Sequence, residues 1–426
     1  MTSTSSALPR GFPGYVALLR GNPDVRNIWT AQIVSQIGDW FNSVALLGLI
    51  NQLTPDPIAP VLVTVFALLP SALAGLTISG YLADRIDRKK LAIVMDIARA
   101  VVALMLLLVY STNTLWIAYA AIITLSVGES VFYACLAAAQ PNLCRPHELA
   151  AANALQQSTW ASVSLVGAAL GGLTAQYLGR EVAFVINALS FIGSAYFLWQ
   201  VRGPFSLRKE GAPGTSFRDL TEGFRFLLGN HRVLAFSVVK AIWAFSFAAT
   251  GLYSVYAFRV YQMGDMGTSW LFVARGLGSF LGPVLLQSIF TPQTNKQFAW
   301  VIAGGLVLCV LGYGMWALSP FVWLGALGIF IGHLGGGNVW TYSRIFVQRE
   351  APDKIRGRVM SLDSVGFTLV TGVYAFVIGA VARYTTPTWG VLAGVLATML
   401  LGAIWFVWMW RNVIRKDGGR KTEDGR

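Results

Sequence analysis

Apolar residues run through this chain in long stretches that recur almost evenly, cut by short polar or Pro/Gly-containing breaks. The stretches fall at 27–50, 59–80, 91–110, 115–140, 150–178, 181–201, 232–260, 268–290, 298–318, 321–346, 357–383 and 389–411. Each is long enough to cross ~30 Å of hydrocarbon as a helix rising 1.5 Å per residue. The pattern therefore predicts an all-α integral membrane protein of about twelve transmembrane helices. The junctions near 179 and 319 are the least sharply marked. The first span has no small-residue cleavage site in the right place and is read as retained, not as a signal peptide.

Composition agrees. Of the 426 residues, 55% are apolar and only 12% are Asp, Glu, Lys or Arg, about half the charged share usual in soluble domains. Mean hydropathy is +0.59. Such a chain cannot cover a water-facing surface, so lipid is the expected solvent. The three cysteines, Cys135, Cys144 and Cys309, lie in or beside apolar stretches with no CxxC spacing. Neither a disulfide framework nor a thiolate metal site is indicated.

The net charge of +13 raises the question of nucleic acid, and the placement of the charges answers it. With both termini inside, about 25 of the 32 Lys and Arg residues fall on the cytoplasmic side, and Arg180, Arg259 and Arg383 fall at the opposite edge. The positive-inside rule accounts for the basic balance, and nucleic-acid binding is set aside. The remaining four, Arg99, Lys240, Arg275 and Arg344, are inside spans.

The longest polar segment divides the spans six and six. Residues 1–26 read as a cytoplasmic N-terminal segment, 27–201 as the first six-helix half, 202–231 as a linker, 232–411 as the second half and 412–426 as a cytoplasmic tail. Within the linker, Phe217, Leu220, Phe224, Leu227 and Leu228 recur at helical spacing among Arg218, Asp219, Glu222 and Arg225, which predicts a helix lying in the membrane interface. An internal echo supports two halves: Pro146-His-Glu-Leu149 after the fourth span resembles Pro352-Asp-Lys-Ile355 after the tenth. Repeated halves meeting at a midplane site are how many secondary transporters are built.

After the second span comes Gly80-Tyr-Leu-Ala-Asp84-Arg85-Ile-Asp87-Arg88-Lys89-Lys90. This resembles the loop signature of the major facilitator superfamily, with Asp87 where a second glycine is usual. Gly80 would let two helices approach, Asp84 would accept bonds from a helix N-terminus, and the basic cluster would hold the loop inside. Gln32-Ile-Val-Ser35-Gln36-Ile-Gly38-Asp39-Trp40, Glu148-Leu-Ala-Ala-Ala-Asn153-Ala-Leu155, Ala183-Phe-Val-Ile-Asn187-Ala-Leu-Ser190-Phe191 and Arg356-Gly-Arg358-Val resemble the branch that holds macrolide-efflux pumps and the enterobactin exporter. Gly167-Ala-Ala-Leu-Gly171-Gly172 is similar to the antiporters' Gly-Pro-x-Leu-Gly-Gly, with Ala168 in place of the proline. Its small residues also suit close helix packing.

Charges in mid-membrane cost about 2.5–3.5 kcal/mol each, so every one needs a reason. Asp39, Glu129, Lys240 and His333 lie in the first, fourth, seventh and tenth spans. The resemblance implies that these helices line a central cavity, so these residues face the substrate path. The two carboxylates are candidates for proton coupling. Lys240 reads as a counter-ion or as a side chain snorkelling to the inner face. Arg275, beside Gly276 and Gly278, suits an anionic substrate or an acidic partner. Asp84, Asp96, Arg99, Arg344 and Asp363 lie at shallow depth around the basic loops and read as an ion-pair gate with two arrangements of similar energy. Gly80, Arg85 and Arg88 complete that motif.

Trp405, Phe406, Trp408 and Trp410 read as an interfacial belt, and Trp243, Phe245, Phe247, Tyr253 and Tyr256 are placed to line an apolar cavity. No phosphate-cradling GxxxxGK[ST], HExxH or nucleophile elbow is present, so an enzyme is not expected. The expectation is a bacterial inner-membrane exporter, monomeric and surrounded by lipid, that expels an amphiphilic small molecule in exchange for protons, with the gradient as its energy source and no cofactor. A siderophore or lysophospholipid transporter or flippase of the same fold is the alternative, and a channel or a non-transporting receptor or scaffold stands further off.

Overall fold

The computed structural model describes residues 12–205, 217–353 and 355–414; the side chains of Asp84, Gln157, Ser158, Ala161 and residues 217–220 lie outside that description. Among the described residues there are helices and turns but no strand. A ten-residue helix α1 (Phe12–Gly21) precedes α2 (Pro23–Leu53). Asn22 starts α2: its side-chain oxygen accepts from Val25 N at 3.1 Å, with Pro23 at the first helical position, the arrangement that suits the missing proline N–H. So the first crossing begins four residues before the apolar pattern places it, and part of the expected polar segment 1–26 is helical. Then come α3 (Ile58–Arg85), α4 (Arg88–Met105), α5 (Leu115–Leu143), α6 (Leu149–Tyr177) and α7 (Arg180–Gln200).

In the linker, α8 (Phe217–Gly229) is the helix the spacing predicts; Leu227 is buried, while Phe224 and Leu228 remain exposed. The seventh crossing is compound. It runs through α9 (His231–Phe247), a 3-10 stretch at Ala248–Leu252, the single turn α10 (Tyr253–Val255) and a π turn at Tyr256–Val260. The remaining crossings are α11 (Gly264–Ile289), α12 (Asn295–Ala317), α13 (Val322–Glu350), α14 (Arg356–Tyr384) and α15 (Pro387–Met409). Eleven helices among the described residues are long and apolar enough to cross a membrane. The helix α6, with 29 residues, has the length as well but is more polar, carrying Asn153, Gln156, Ser162 and Ser164. About twelve crossings is thus the architecture. The junction near 179 is a glycine turn, Gly179 at φ +96°, where a side chain would be strained.

Two compact units form, comprising Met1–Leu53 with Pro70–Thr215 and Thr54–Leu69 with Ser216–Arg426. This amends the expected continuous halves. The first turns of α3 pack in the second unit, where a Cβ on Gly379 would lie 3.0 Å from Val61 Cγ1 and one on Gly251 would lie 3.3 Å from Thr64 Oγ1. Asp56, just ahead of α3, pairs with Arg383 at 3.3 Å. Pro70, inside α3, is where the helix passes from one unit to the other.

In the first unit α2 packs on α6 and α7, and small residues make this close: a Cβ on Gly171 would stand 3.1 Å from Phe41 Cα. In the second unit α13 packs intimately on α11 and α12, with Gly305 against the backbone of Gly335. Without a hydrophobic drive between helices in lipid, such backbone approach supplies much of the association. A second-unit core gathers Phe236, stacked on Phe346 with ring centroids 3.6 Å apart, and Trp405, whose Nε1 donates to the Ala235 carbonyl at 2.8 Å. Trp405 therefore belongs to the core and not to an interfacial belt, while Trp408 and Trp410 stay exposed.

Candidate functional site

Each unit holds one group of charges inside its helices, and the groups differ. In the first unit, Asp39 of α2 lies 16 residues into a 31-residue helix, and Glu129 sits at the centre of the 29-residue α5. Between them is Arg99 of α4, 2% exposed. Its guanidinium donates to Asp96, fully buried three residues earlier on the same helix, and lies 4.0 Å from Asp39 Oδ2. Glu129 acts on Arg99 and Asp39 through the electric field. The rings of Phe132 and Phe191 take the flat faces of Arg99 at 4.6 and 4.3 Å, as suits a desolvated planar cation. Gly128 makes room for the stem: a Cβ there would stand 3.1 Å from Arg99 Cγ. Gln36 donates to the Tyr133 hydroxyl at 2.5 Å along the border of the group. Asp39 keeps 31% of its side chain exposed, unlike Asp96.

In the second unit Lys240 of α9 donates to Asp363 of α14, and both are buried. Arg344 of α13 acts on this pair electrostatically. Lys240 does not snorkel, because Asp363 meets it inside the helices. The ammonium also sits 4.9 Å from the ring centre of Trp340. Trp340 contacts Phe367 at 5.1 Å, Phe367 contacts Phe247 at 5.3 Å, and the guanidinium of Arg275 lies 5.1 Å over Phe247. Trp243 backs the row, stacked on Phe367 at 5.2 Å.

His333, 0% exposed, has both ring nitrogens occupied. Nε2 meets the hydroxyls of Tyr313 at 2.9 Å and Tyr253 at 3.3 Å, and Nδ1 meets Ser279 Oγ at 3.1 Å. It is an internal brace between α10, α11, α12 and α13.

The expected shallow gate is regrouped by this geometry. Asp96 and Arg99 lie eight and eleven residues into α4, ~12 and ~16 Å along the helix axis, and belong with Asp39. Asp363 lies seven residues into α14 and belongs with Lys240. At the basic loop itself, Asp87 caps α4 by accepting from Lys90 N at 2.8 Å. This explains an aspartate where the family signature has glycine. Arg88 donates to the carbonyls of Ala83 and Ala138 at 3.0 and 3.2 Å, and Lys89 to those of Trp199 and Val201 at 2.9 and 2.7 Å. Both cations thus occupy carbonyls at the ends of α3, α5 and α7, where the helix dipole favours positive charge. Arg85 is exposed with its guanidinium 4.3 Å over Tyr81, Gly80 precedes it on α3, and the Asp84 side chain lies outside the described residues. The cysteines are free, and burial pushes the Cys144 thiol, just beyond α5, up to about 11.

A model of a family described as transmembrane secretion effector matches residues 17–417. The chain belongs to that family. Among curated relatives of this chain are an uncharacterised MFS-type transporter, YfiS, of Bacillus subtilis (25% identity, 83% of this chain and 85% of the relative) and the enterobactin exporter EntS of Salmonella typhimurium (25% identity, 91% and 95%). A solved bacterial homologue of the human lysosomal transporter Spinster, inward-facing and occupied, superposes with a TM-score of 0.72 at 14% identity over 92% of this chain and 97% of that one. That likeness carries the fold. The protein is a multi-pass membrane transporter of the major facilitator type, as the 80–90 loop and the span count imply.

Phe132, Tyr133, Trp340 and Phe367 are site residues that the sequence reading passed over, and Phe191 entered it only as the end of a family-like stretch. Tyr133 was the most accessible of them, being one helical turn after Glu129 and so on the same face. Trp340 and Phe367 come from helices distant in sequence and carry no local signal.

Proposed function

We propose that this protein is a secondary active exporter that moves an amphiphilic small molecule out of the cell in exchange for protons. The observation that carries this reading is the stoichiometry of the first-unit group: Asp39, Asp96 and Glu129 share a single cation, Arg99. Asp96 is the committed partner of Arg99. Asp39 and Glu129 remain as carboxylates that can take up a proton while the guanidinium stays paired, which is what a coupling site requires. Protonation from outside releases the cargo and permits return, and deprotonation inside restores the loading state. The chain lies in the bacterial inner membrane with both termini cytoplasmic, a placement supported by the distribution of Lys and Arg. EntS, which aligns over most of both chains, favours a second reading of the same machine with a siderophore as cargo.

The test uses inside-out membrane vesicles with an acid interior, a pH-sensitive dye and a panel of lipophilic cations, macrolides, siderophores and lysolipids. The expected result is saturable proton efflux with one class, lost in Glu129→Gln. Full gradient-dependent transport in both Glu129→Gln and Asp39→Asn overturns the coupling assignment.

A further inference from the structure

The first unit sets three interior carboxylates about one guanidinium, and they are not equally provided for. Asp96 accepts from Arg99, and Asp39 lies 4.0 Å from it. Among the described residues no hydrogen bond or ion pair reaches the side chain of Glu129, on which Arg99 acts through the field. An ionised carboxylate in the middle of a membrane needs a donor. Glu129 therefore needs one from the moment it gives up a proton.

The donor within reach is on the same helix. Tyr133 follows Glu129 by four residues of α5, so both side chains rise from one face, ~6 Å apart along the axis. Helical side chains lean toward the N-terminus, which tips the Tyr133 ring over the turn that holds Glu129. The ring stands edge-to-face with Phe132, centroids 5.5 Å apart, and its hydroxyl is within electrostatic reach of both Glu129 and Asp39. That hydroxyl accepts from Gln36 Nε2, and among the described residues its own proton has no acceptor. An accepted bond polarises an O–H and makes it a stronger donor. Gln36 has no second bond to hold it elsewhere, since its Oε1 is buried and without a partner among the described residues. The nearer hydroxyls of α5 are engaged: Ser126 with the Ile123 carbonyl and Ser130 with Ser79.

We propose that Tyr133 is the hydrogen-bond partner of ionised Glu129: the phenol turns its proton to the carboxylate once the coupling proton has left, and Gln36 of α2 holds the phenol from behind. This rests on the antiport reading above and adds a positioning pair to it. The proton that leaves Glu129 goes to water on the cytoplasmic side, and the phenol keeps its own throughout. Because the pair joins α2 to α5, approach of those helices favours release from Glu129 and separation favours uptake. The other ionisable groups of the cluster are Asp39 from α2 and Asp96 and Arg99 from α4; α3 contributes Ser79 and α7 contributes Phe191, neither of which titrates.

The test reads protonation directly, with no gradient and no cargo. Infrared difference spectra of the purified full chain in maltoside micelles follow the carbonyl stretch of protonated carboxyl groups as the pH is stepped. Subtracting the same series from Glu129→Gln isolates the Glu129 band. Tyr133→Phe keeps the ring and its contact with Phe132 but loses a hydrogen bond to a charged group. The midpoint of the band should then move to higher pH, by about tenfold in proton affinity. Gln36→Leu should move it the same way by less, and it decides by direction alone if Tyr133→Phe does not fold. Asp39, Asp96 and Arg99 are untouched in both variants, so the shift belongs to the hydroxyl. A midpoint that stays put or moves to lower pH in Tyr133→Phe overturns the assignment, and so does a larger shift in Gln36→Leu. A band that is absent, or that Glu129→Gln leaves intact, is a separate failure. It removes Glu129 from proton coupling, takes this assignment with it and leaves the antiport reading to Asp39 alone.

Discussion

The two units solve the same problem, charge inside a membrane, in opposite ways. The first gathers three acids about Arg99; the second sets two bases, Lys240 and Arg344, about Asp363. An excess of acid can be discharged by protons, which cross the membrane's energy gradient as a currency. Guanidinium and ammonium groups keep their charge at physiological pH and have no such outlet. The pairs differ in construction too. Asp96 and Arg99 are one helical turn apart on α4, whereas Lys240 and Asp363 join helices that are 123 residues apart.

The sharpest way to break this comparison is to open the long-range pair. Lys240→Met leaves Asp363 a buried charge without its ion-pair partner, and the expected cost is ~3–5 kcal/mol, seen as a large drop in the thermal unfolding midpoint in detergent. Adding Asp363→Leu should recover most of it. If the single variant melts like the parent, the second-unit pair is not the tie described.

Next in size is the contrast between the two aspartates around Arg99. Asp96→Asn keeps an amide oxygen as acceptor but removes the buried negative charge that pairs with Arg99, and should cost ~1.5–3 kcal/mol. Asp39→Asn, at a partly exposed site 4.0 Å away, should stay within about 0.5 kcal/mol while proton-coupled flux falls. Equal melting losses would merge the two roles. Arg99→Lys should cost about 1 kcal/mol, since an ammonium keeps the charge but loses the stacked planar contact with Phe132 and Phe191.

The smallest effect is at the signature loop. Asp87→Ala should lower stability by ~1 kcal/mol through the lost cap, and Asp87→Gly by only a few tenths. A measured loss for Asp87→Gly as large as for Ala would mean the carboxylate does more than cap α4.

The spans were legible because lipid demands long apolar helices, and nothing tertiary is needed to see them. The turn at Gly179 and the compound seventh crossing were not, since 3-10 and π turns leave the apolar pattern intact. Asp96 and Arg99 could have been paired from their i,i+3 spacing; proximity to the loop signature drew them into the gate instead. Lys240 and Asp363 carried no such hint, because a partner on another helix is set by packing. The first turns of α3 joined the second unit for the same reason: Gly372, Gly379 and Gly251 open the surfaces that Leu69, Val61 and Thr64 fill.

The separation of Lys240 from Asp363 also bears on how the chain is made. Arg99 enters the bilayer beside Asp96, a neutral unit from its first moment in lipid. Lys240 has to wait. At roughly 5–20 residues per second the ribosome needs on the order of 6–25 s to supply the 123 residues that end at Asp363. Through that interval the seventh crossing holds an unmatched ammonium that costs ~2.5–3.5 kcal/mol in the membrane. The late helices therefore complete an electrically unfinished intermediate, and a chain truncated before residue 363 presents insertion machinery and membrane proteases with a lysine that marks it as incomplete.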